Sequence, residues 1–196
     1  MLRRAPADRI ECRSSGEHTV ATVWLRVSVA TFSDVAASVQ LARDPAARHW
    51  LGWGPEQVAT TQAAGGSQLA LRSSLLSFVG VQPATGRVLV SITLTPGPDG
   101  SYQVGGLVDP DFRGRGYGRE ALQAVCLLAH RHFGLVRLRA ACEVTNTASQ
   151  QWLASAAFVR TDGPPTQALP DGRVIEALWW TRTDFSARRC RNAPRR

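Results

Sequence analysis

The sequence predicts an α+β or α/β domain with one central sheet and flanking helices. Three observations carry this. Apolar, β-branched runs separated by turn residues fill much of the first half, and the second half reads strand, glycine loop, helix, strand, helix, strand. At 196 residues, with 44% hydrophobic and 19% charged residues, the chain is long enough to bury one sizeable core. No apolar run approaches the roughly 18 residues of a membrane span, and coiled-coil, collagen-like and small disulfide-scaffold patterns are absent.

The elements follow in order. Residues 1–19 are polar, with no apolar stretch that would mark a secretory signal, and are expected to be a flexible lead. Thr22–Val29 reads as a strand. Ser33 can cap a helix running to Ala42, with Asp34 near its positive end. Asp44-Pro45 marks a break, and His49-Trp50-Leu51-Gly52-Trp53-Gly54-Pro55 reads as an aromatic loop. A short helix over Glu56–Ala63 and a Gly-rich connection over 64–67 are expected next. Strands follow over Leu69–Arg72, Leu75–Gln82, Arg87–Thr95 and Ser101–Val108; Gly105-Gly106 in the last implies a bulge or a close backbone approach. A long helix spans Gly118 to His132, with Ala121, Leu122, Val125, Ala129 and His132 on one face. Leu135–Ala141 is a strand, Asn146 caps a helix over Thr147–Ala156, and Arg173–Thr181 is the last strand.

The net charge is +8, all 23 basic residues being Arg. Residues 20–185 carry fourteen Arg against twelve acids, whereas 186–196 carry five Arg and none. The body is thus nearly neutral and the excess is concentrated in a C-terminal tail. Arg188, Arg189, Arg191, Arg195 and Arg196 read either as a solvated tail or as an arm for nucleic-acid phosphates. Cys12, Cys126, Cys142 and Cys190 form no CxxC pair and have no His at ligand spacing, which points to reduced thiols, a cytoplasmic location and no metal.

The chemistry concentrates in Arg113-Gly114-Arg115-Gly116-Tyr117-Gly118. Glycines between a strand and a helix let the backbone approach a ligand closely, and the helix start offers unpaired N–H groups backed by a positive dipole. That combination suits a phosphate. The loop is neither a Walker loop nor a dinucleotide fingerprint, because neither spacing is met.

The run Val108-Asp109-Pro110-Asp111-Phe112-Arg113-Gly114-Arg115-Gly116-Tyr117-Gly118 resembles the acyl-CoA-binding motif of the GCN5-related N-acetyltransferases (GNAT). A second motif, Asn146-Thr147-Ala148-Ser149 followed by Leu153 and Phe158, is similar to that family's as well. The likeness is strongest to the branch of ribosomal-protein N-terminal acetyltransferases and covers roughly residues 22–182. It implies a GNAT fold over 20–185: a mixed, mostly antiparallel, three-layer α/β arrangement whose splayed strands form the acyl-CoA cleft. It implies that Leu107 and Val108 flank the pantetheine, that residues 114–118 hold the pyrophosphate of acetyl-CoA with Arg113 beside them, and that Asn146 binds the pantetheine arm. It places Ser149 near the sulfur as a proton donor.

The sequence departs from the pattern at Leu153, where other branches carry a Tyr acid, at Ala157, where the family usually has Gly, and at Ala141, where some relatives use a Glu. The general base is left open among Glu143, Glu176, Tyr102 and His49. Trp50, Trp53, Tyr102 and Trp179 are candidates for the acceptor pocket, and at most one of Trp179 and Trp180 can face it. The expected reaction is transfer of an acetyl or other acyl group to a primary amine, on a small molecule or a protein N-terminus, by a monomer or homodimer. An aminoacyl-tRNA donor gripped by the Arg tail, and a non-catalytic CoA sensor, are the alternatives.

Overall fold

The structure, a computed structural model, describes residues 10–12, 18–54 and 75–185. The expected helix over 56–63, the strand over 69–72 and the Arg tail lie outside these residues. A ten-stranded sheet forms the framework. Its strands are β1 (Ile10–Cys12), β2 (His18–Ala21), β3 (Arg26–Val29), β4 (Leu76–Val81), β5 (Val88–Pro96), β6 (Tyr102–Val108), β7 (Arg137–Glu143), β8 (Val159–Thr161), β9 (Thr166–Ala168) and β10 (Val174–Thr183). The order is β1-β2-β3-β4-β5-β6-β7-β10-β8, with β9 also on β10. All the pairings are antiparallel except β6 with β7.

The sheet starts earlier than the expected boundary at residue 20, because β1 and β2 pair through Ile10↔Val20 and Cys12↔His18. Thr22–Val29 is not one strand. Thr22–Leu25 is a turn, closed by the Thr22 N–H on the Leu25 carbonyl at 2.8 Å, and β3 begins at Arg26. Gly105-Gly106 makes no bulge: the β5–β6 register runs unbroken from Val90↔Val108 to Pro96↔Tyr102. The irregularity lies instead between β4 and β5, at Gly80/Val81. Gly106 serves the close approach, since a Cβ there would lie 2.6 Å from the Ser91 carbonyl and 3.0 Å from the Trp152 ring.

Among the described residues, four α-helices flank the sheet. α1 (Phe32–Leu41) is capped by Thr31, not Ser33, because Thr31 and Asp34 form a reciprocal capping box. The Asp44-Pro45 pair starts a helix where a break was expected. Asp44 Oδ1 accepts the Ala46 N–H at 3.1 Å, Pro45 occupies the first turn, and α2 runs Pro45–Leu51 until Gly52 ends it in a left-handed conformation. The expected aromatic loop is therefore helical through Leu51. α3 (Tyr117–Leu127) continues into a π turn over Leu128–His132. α4 (Thr147–Ser155) is capped by Asn146, whose Oδ1 accepts the Ser149 N–H at 3.0 Å.

Two cores result. α3 and α4 cover one face, burying Phe78, Ile92, Leu94, Leu122, Val125, Leu138, Leu153 and Phe158. The opposite face carries a smaller cluster of Leu41 with Val79, Val81 and Val88, joined by Leu107. Period-2 alternation divides the tryptophans of β10: Trp180 is buried in the main core, and Trp179 lies on the other face beside Arg139.

Ala157 follows α4 with φ of +59°, the only non-glycine residue at positive φ among those described. A Cβ in that region costs about 1–2 kcal/mol, which explains why glycine suits the position. Ala157→Gly is expected to raise stability by about 1 kcal/mol, offset in part by the entropy of the unfolded glycine; urea denaturation of the two proteins reads this directly.

Candidate functional site

β6 and β7 run parallel, yet they pair only at Tyr102↔Leu138 and Gln103↔Arg139. Beyond these two pairs the strands separate, leaving Val104–Val108 facing Ala140–Glu143 across an open cleft. Backbone groups of a strand alternate sides. The Asp109 N–H donates to Leu89 of β5 at 2.8 Å, so Val108, Gly106 and Val104 turn their N–H and C=O groups toward the cleft. Among the described residues the Val104 carbonyl, both Gly106 groups and the Val108 N–H form an open sheet edge, while the Val108 carbonyl receives Arg113.

Two helix N-termini stand at the carboxyl ends of the separated strands. After β6, a 3-10 turn over Pro110–Phe112 leads to Gly114 and Gly116, both at positive φ (+74° and +89°). Gly116 is the N-cap of α3 without any side-chain cap. The N–H groups of Tyr117, Gly118 and Arg119 therefore lack helical acceptors, and the helix dipole adds positive potential. A Cβ on Gly116 would lie 3.2 Å from the Trp24 ring, and one on Gly118 would lie 2.9 Å from Val108. The concavity exists because these positions are glycine, and its donors fit a pyrophosphate. Arg115 and Arg119 are exposed beside it.

A buried carboxylate holds this loop. Asp109 is 1% exposed and receives Arg87 at 2.7 Å, Arg43 at 3.1 Å and the Asp111 N–H at 3.1 Å. Burial by itself would push its carboxyl up, but the Asp111 N–H and the two guanidinium groups hold it below the ordinary carboxylate range. The stability it contributes is present above the ordinary Asp pKa and is lost as pH falls through the depressed one. Arg113 does not project into the cradle. It bonds Asp44 at 2.5 Å and the Val108 carbonyl at 3.3 Å, tying the loop to the start of α2 and holding the Asp44 carboxyl below its usual range.

On the β7 side, Asn146 is buried and caps α4, and Ser149 lies in the first turn. The Ser149 hydroxyl makes no hydrogen bond among the described residues. Trp152, which sequence reasoning passed over, links the two sides. Its Nε1 donates to the Gly118 carbonyl at 2.6 Å, and its ring lies against Gly106. The signal for it was Gly106 and Gly118 themselves, two small residues that leave room for one large ring.

The expected acceptor residues divide. Glu143 is opposite Ala177, on the Trp179 face, and accepts the Thr145 hydroxyl at 2.9 Å. Glu176 lies on the opposite face of β10 and is exposed. Tyr102 is buried in the main core with Leu138, away from any acceptor face. Trp179 is stacked under the Arg139 guanidinium at 4.5 Å and donates to the Pro164 carbonyl at 2.7 Å. Trp50 is partly exposed on α2, edge-on to His49, and Trp53 follows Gly52 with its N–H on the Arg48 carbonyl at 2.9 Å. α2 meets the β9–β10 hairpin, where Arg173 bonds the His49 carbonyl and Leu169 packs on Gly52. Leu107 belongs to the α1 cluster, and Val108 and Tyr117 pack against the main core. Arg188, Arg189, Arg191, Arg195 and Arg196 lie outside the described residues. No group of three His, Cys, Asp or Glu side chains gathers, and no helix is long and apolar enough to cross a membrane, among the described residues.

A sheet with one parallel, splayed pair and a glycine cradle at its carboxyl end fits the class of transferases that take an acyl-CoA donor. The family model of the acetyltransferase (GNAT) domain matches residues 25–159, and the chain belongs to that family. It is an acetyltransferase whose acyl donor is acetyl-CoA. Among solved structures it is similar to the ribosomal-protein-S5-alanine acetyltransferase from Vibrio fischeri, at 17% identity and a TM-score of 0.65, covering 87% of this chain and 98% of that one. It is also similar to the acetyl transferase from Salmonella typhimurium that modifies the N-terminal serine of ribosomal protein L7/L12, at 20% identity and a TM-score of 0.67, covering 83% and 96%. A ribosomal L7/L12 α-N-protein acetyltransferase in complex with coenzyme A matches at 20% identity and a TM-score of 0.67, covering 82% and 94%. No curated protein matches the sequence significantly.

Gly116→Glu places a side chain and a negative charge in the cradle at a backbone φ of +89°. It is expected to weaken acetyl-CoA binding at least about 100-fold, since like-charge juxtaposition costs several kcal/mol. Calorimetric titration of a variant with native circular dichroism checks this.

Proposed function

We propose that the protein acetylates a primary amine at a protein N-terminus by direct attack of that amine on the donor thioester. The observation that carries this reading is the acceptor face of the cleft. It is bordered by α2 and the β9–β10 hairpin, which are joined where Arg173 bonds the His49 carbonyl. An opening bordered by a helix and a hairpin suits the extended residues that follow an N-terminus. A polyamine would call for clustered carboxylates, whereas Glu143 stands by itself beside Ala177 on this side of β7.

Acetyl-CoA supplies an acetyl thioester. The Gly116–Arg119 backbone holds its pyrophosphate, and Asn146 orients the pantetheine arm lying along the free edge of β6. A β6 N–H facing the cleft stabilises the negative charge that builds on the thioester carbonyl oxygen. The acceptor nitrogen forms the C–N bond as the C–S bond breaks. Glu143 takes the proton released by the attacking amine, directly or through water, and the Ser149 hydroxyl donates a proton to the departing thiolate. A cytoplasmic location suits this donor. The RNA-borne donor rests on the Arg tail alone and gains no support from the site.

Mass spectrometry of peptides incubated with the enzyme and acetyl-CoA tests the acceptor. Acetylation of a free peptide α-amine and none of an N-terminally blocked Lys-containing peptide is expected; acetylation of spermidine but of no peptide would refute the reading. Ser149→Ala is expected to lower kcat about 100-fold while leaving the Kd for acetyl-CoA unchanged, which stopped-flow and titration together resolve.

A further inference from the structure

Trp24 is half exposed, at 50%, and it is not loosely held. Its N–H donates to Glu120 Oε1 at 2.8 Å, the Leu25 N–H reaches the same oxygen at 3.2 Å, and the Thr22 hydroxyl bonds it too. Glu120 is half-buried in the start of α3, and burial raises its carboxyl above the usual range despite those two N–H donors. A carboxylate kept at that cost pins the Thr22–Leu25 turn to the donor cradle. The turn carries the indole to Gly116 and no further into the core.

The rest of the rim is aromatic and cationic. Trp24 meets Tyr117 edge-on at 5.9 Å, and Tyr117 meets Phe112 likewise at 5.9 Å. Arg115 lies over the Phe112 ring at 5.3 Å and has no carboxylate partner among the described residues. The two sides of the helix start differ. A Cβ on Gly118 would meet Val108 and Trp152, on the cleft side, whereas one on Gly116 would meet Trp24. A donor whose pyrophosphate sits on this helix start sends its acyl arm down the Gly118 side. Its nucleotide end leaves over Gly116, onto Trp24.

We propose that Trp24 is the platform on which the adenine ring of the donor stacks, with Arg115 the cation beside it for the ribose phosphate. The assignment rests on acetyl-CoA being the donor at this cradle. It explains an exposed indole that no core packing requires, and base–aromatic stacking needs an accessible π face, which a half-exposed indole offers.

Three probes separate the parts of the donor: coenzyme A, adenosine 3′,5′-bisphosphate and 4′-phosphopantetheine, each titrated calorimetrically into the full-length protein. Trp24→Ala is expected to weaken the two adenine-bearing ligands about 5- to 100-fold and to leave 4′-phosphopantetheine unchanged. Trp24→Leu, which keeps apolar bulk and removes the π face, is expected to show the same selectivity and serves should the alanine variant unfold. Unchanged affinity for coenzyme A in a folded variant would overturn the proposal. So would an equal loss for all three ligands, which would make Trp24 a prop for the cradle. A wild-type protein that bound none of the three would remove the donor site itself, a different failure from the loss of Trp24's role.

Discussion

The site depends on a parallel strand pair that stops after two residue pairs. β6 and β7 meet at Tyr102 and Gln103 and then part, although both continue as strands for several residues. Backbone N–H and C=O groups need partners, so the edge of β6 from Val104 to Val108 is a standing site for something that can imitate a strand. An extended acyl-pantetheine arm, carrying amide groups of its own, meets that need. The same divergence sets the starts of α3 and α4 on either side of one opening, and both dipoles favour negative charge there.

Keeping the opening in shape falls to side chains at its margins. Trp152 spans from Gly118 to Gly106 and so fixes α3 against β6 on the donor side. Asp109, buried between Arg43 and Arg87, fixes the loop between β6 and α3. Removing one partner from a buried pair costs about 3–5 kcal/mol, and less where the arginines are partly solvated, as here. Arg113 extends the same network to Asp44 at the start of α2. The cradle loop and the start of α2 are therefore joined by several ion pairs, Arg113 with Asp44 and Arg43 with Asp109 and Asp111.

Much of this was legible in the sequence, and the exceptions have local causes. The donor loop could be read because glycine spacing, a preceding strand and a following apolar helix face coincide within residues 101–132. Asn146 could be read as a cap, which it is. α2 was hidden because Asp-Pro reads equally as a break or as cap and first-turn proline; only the Gly52 end and the hairpin packed on it decide. Tyr102 was misplaced because strand register decides which face a residue takes, and pairing with Leu138 puts it in the core. Glu143 and Glu176 could not be told apart until β7 and β10 were aligned with Glu143 opposite Ala177. Trp24 and Trp152 escaped because each acts against a glycine distant in sequence. Arg113 reads in the sequence as part of the donor loop, and its guanidinium bonds Asp44 and the Val108 carbonyl.

Amide hydrogen exchange, followed by mass spectrometry with and without acetyl-CoA, tests the central claim most directly. The account predicts slowed exchange on donor addition in peptides covering 104–108 and 114–119, where the free strand edge and the helix start gain partners. Saturating donor that left both segments exchanging as before, or that protected only the β8–β10 region, would contradict it.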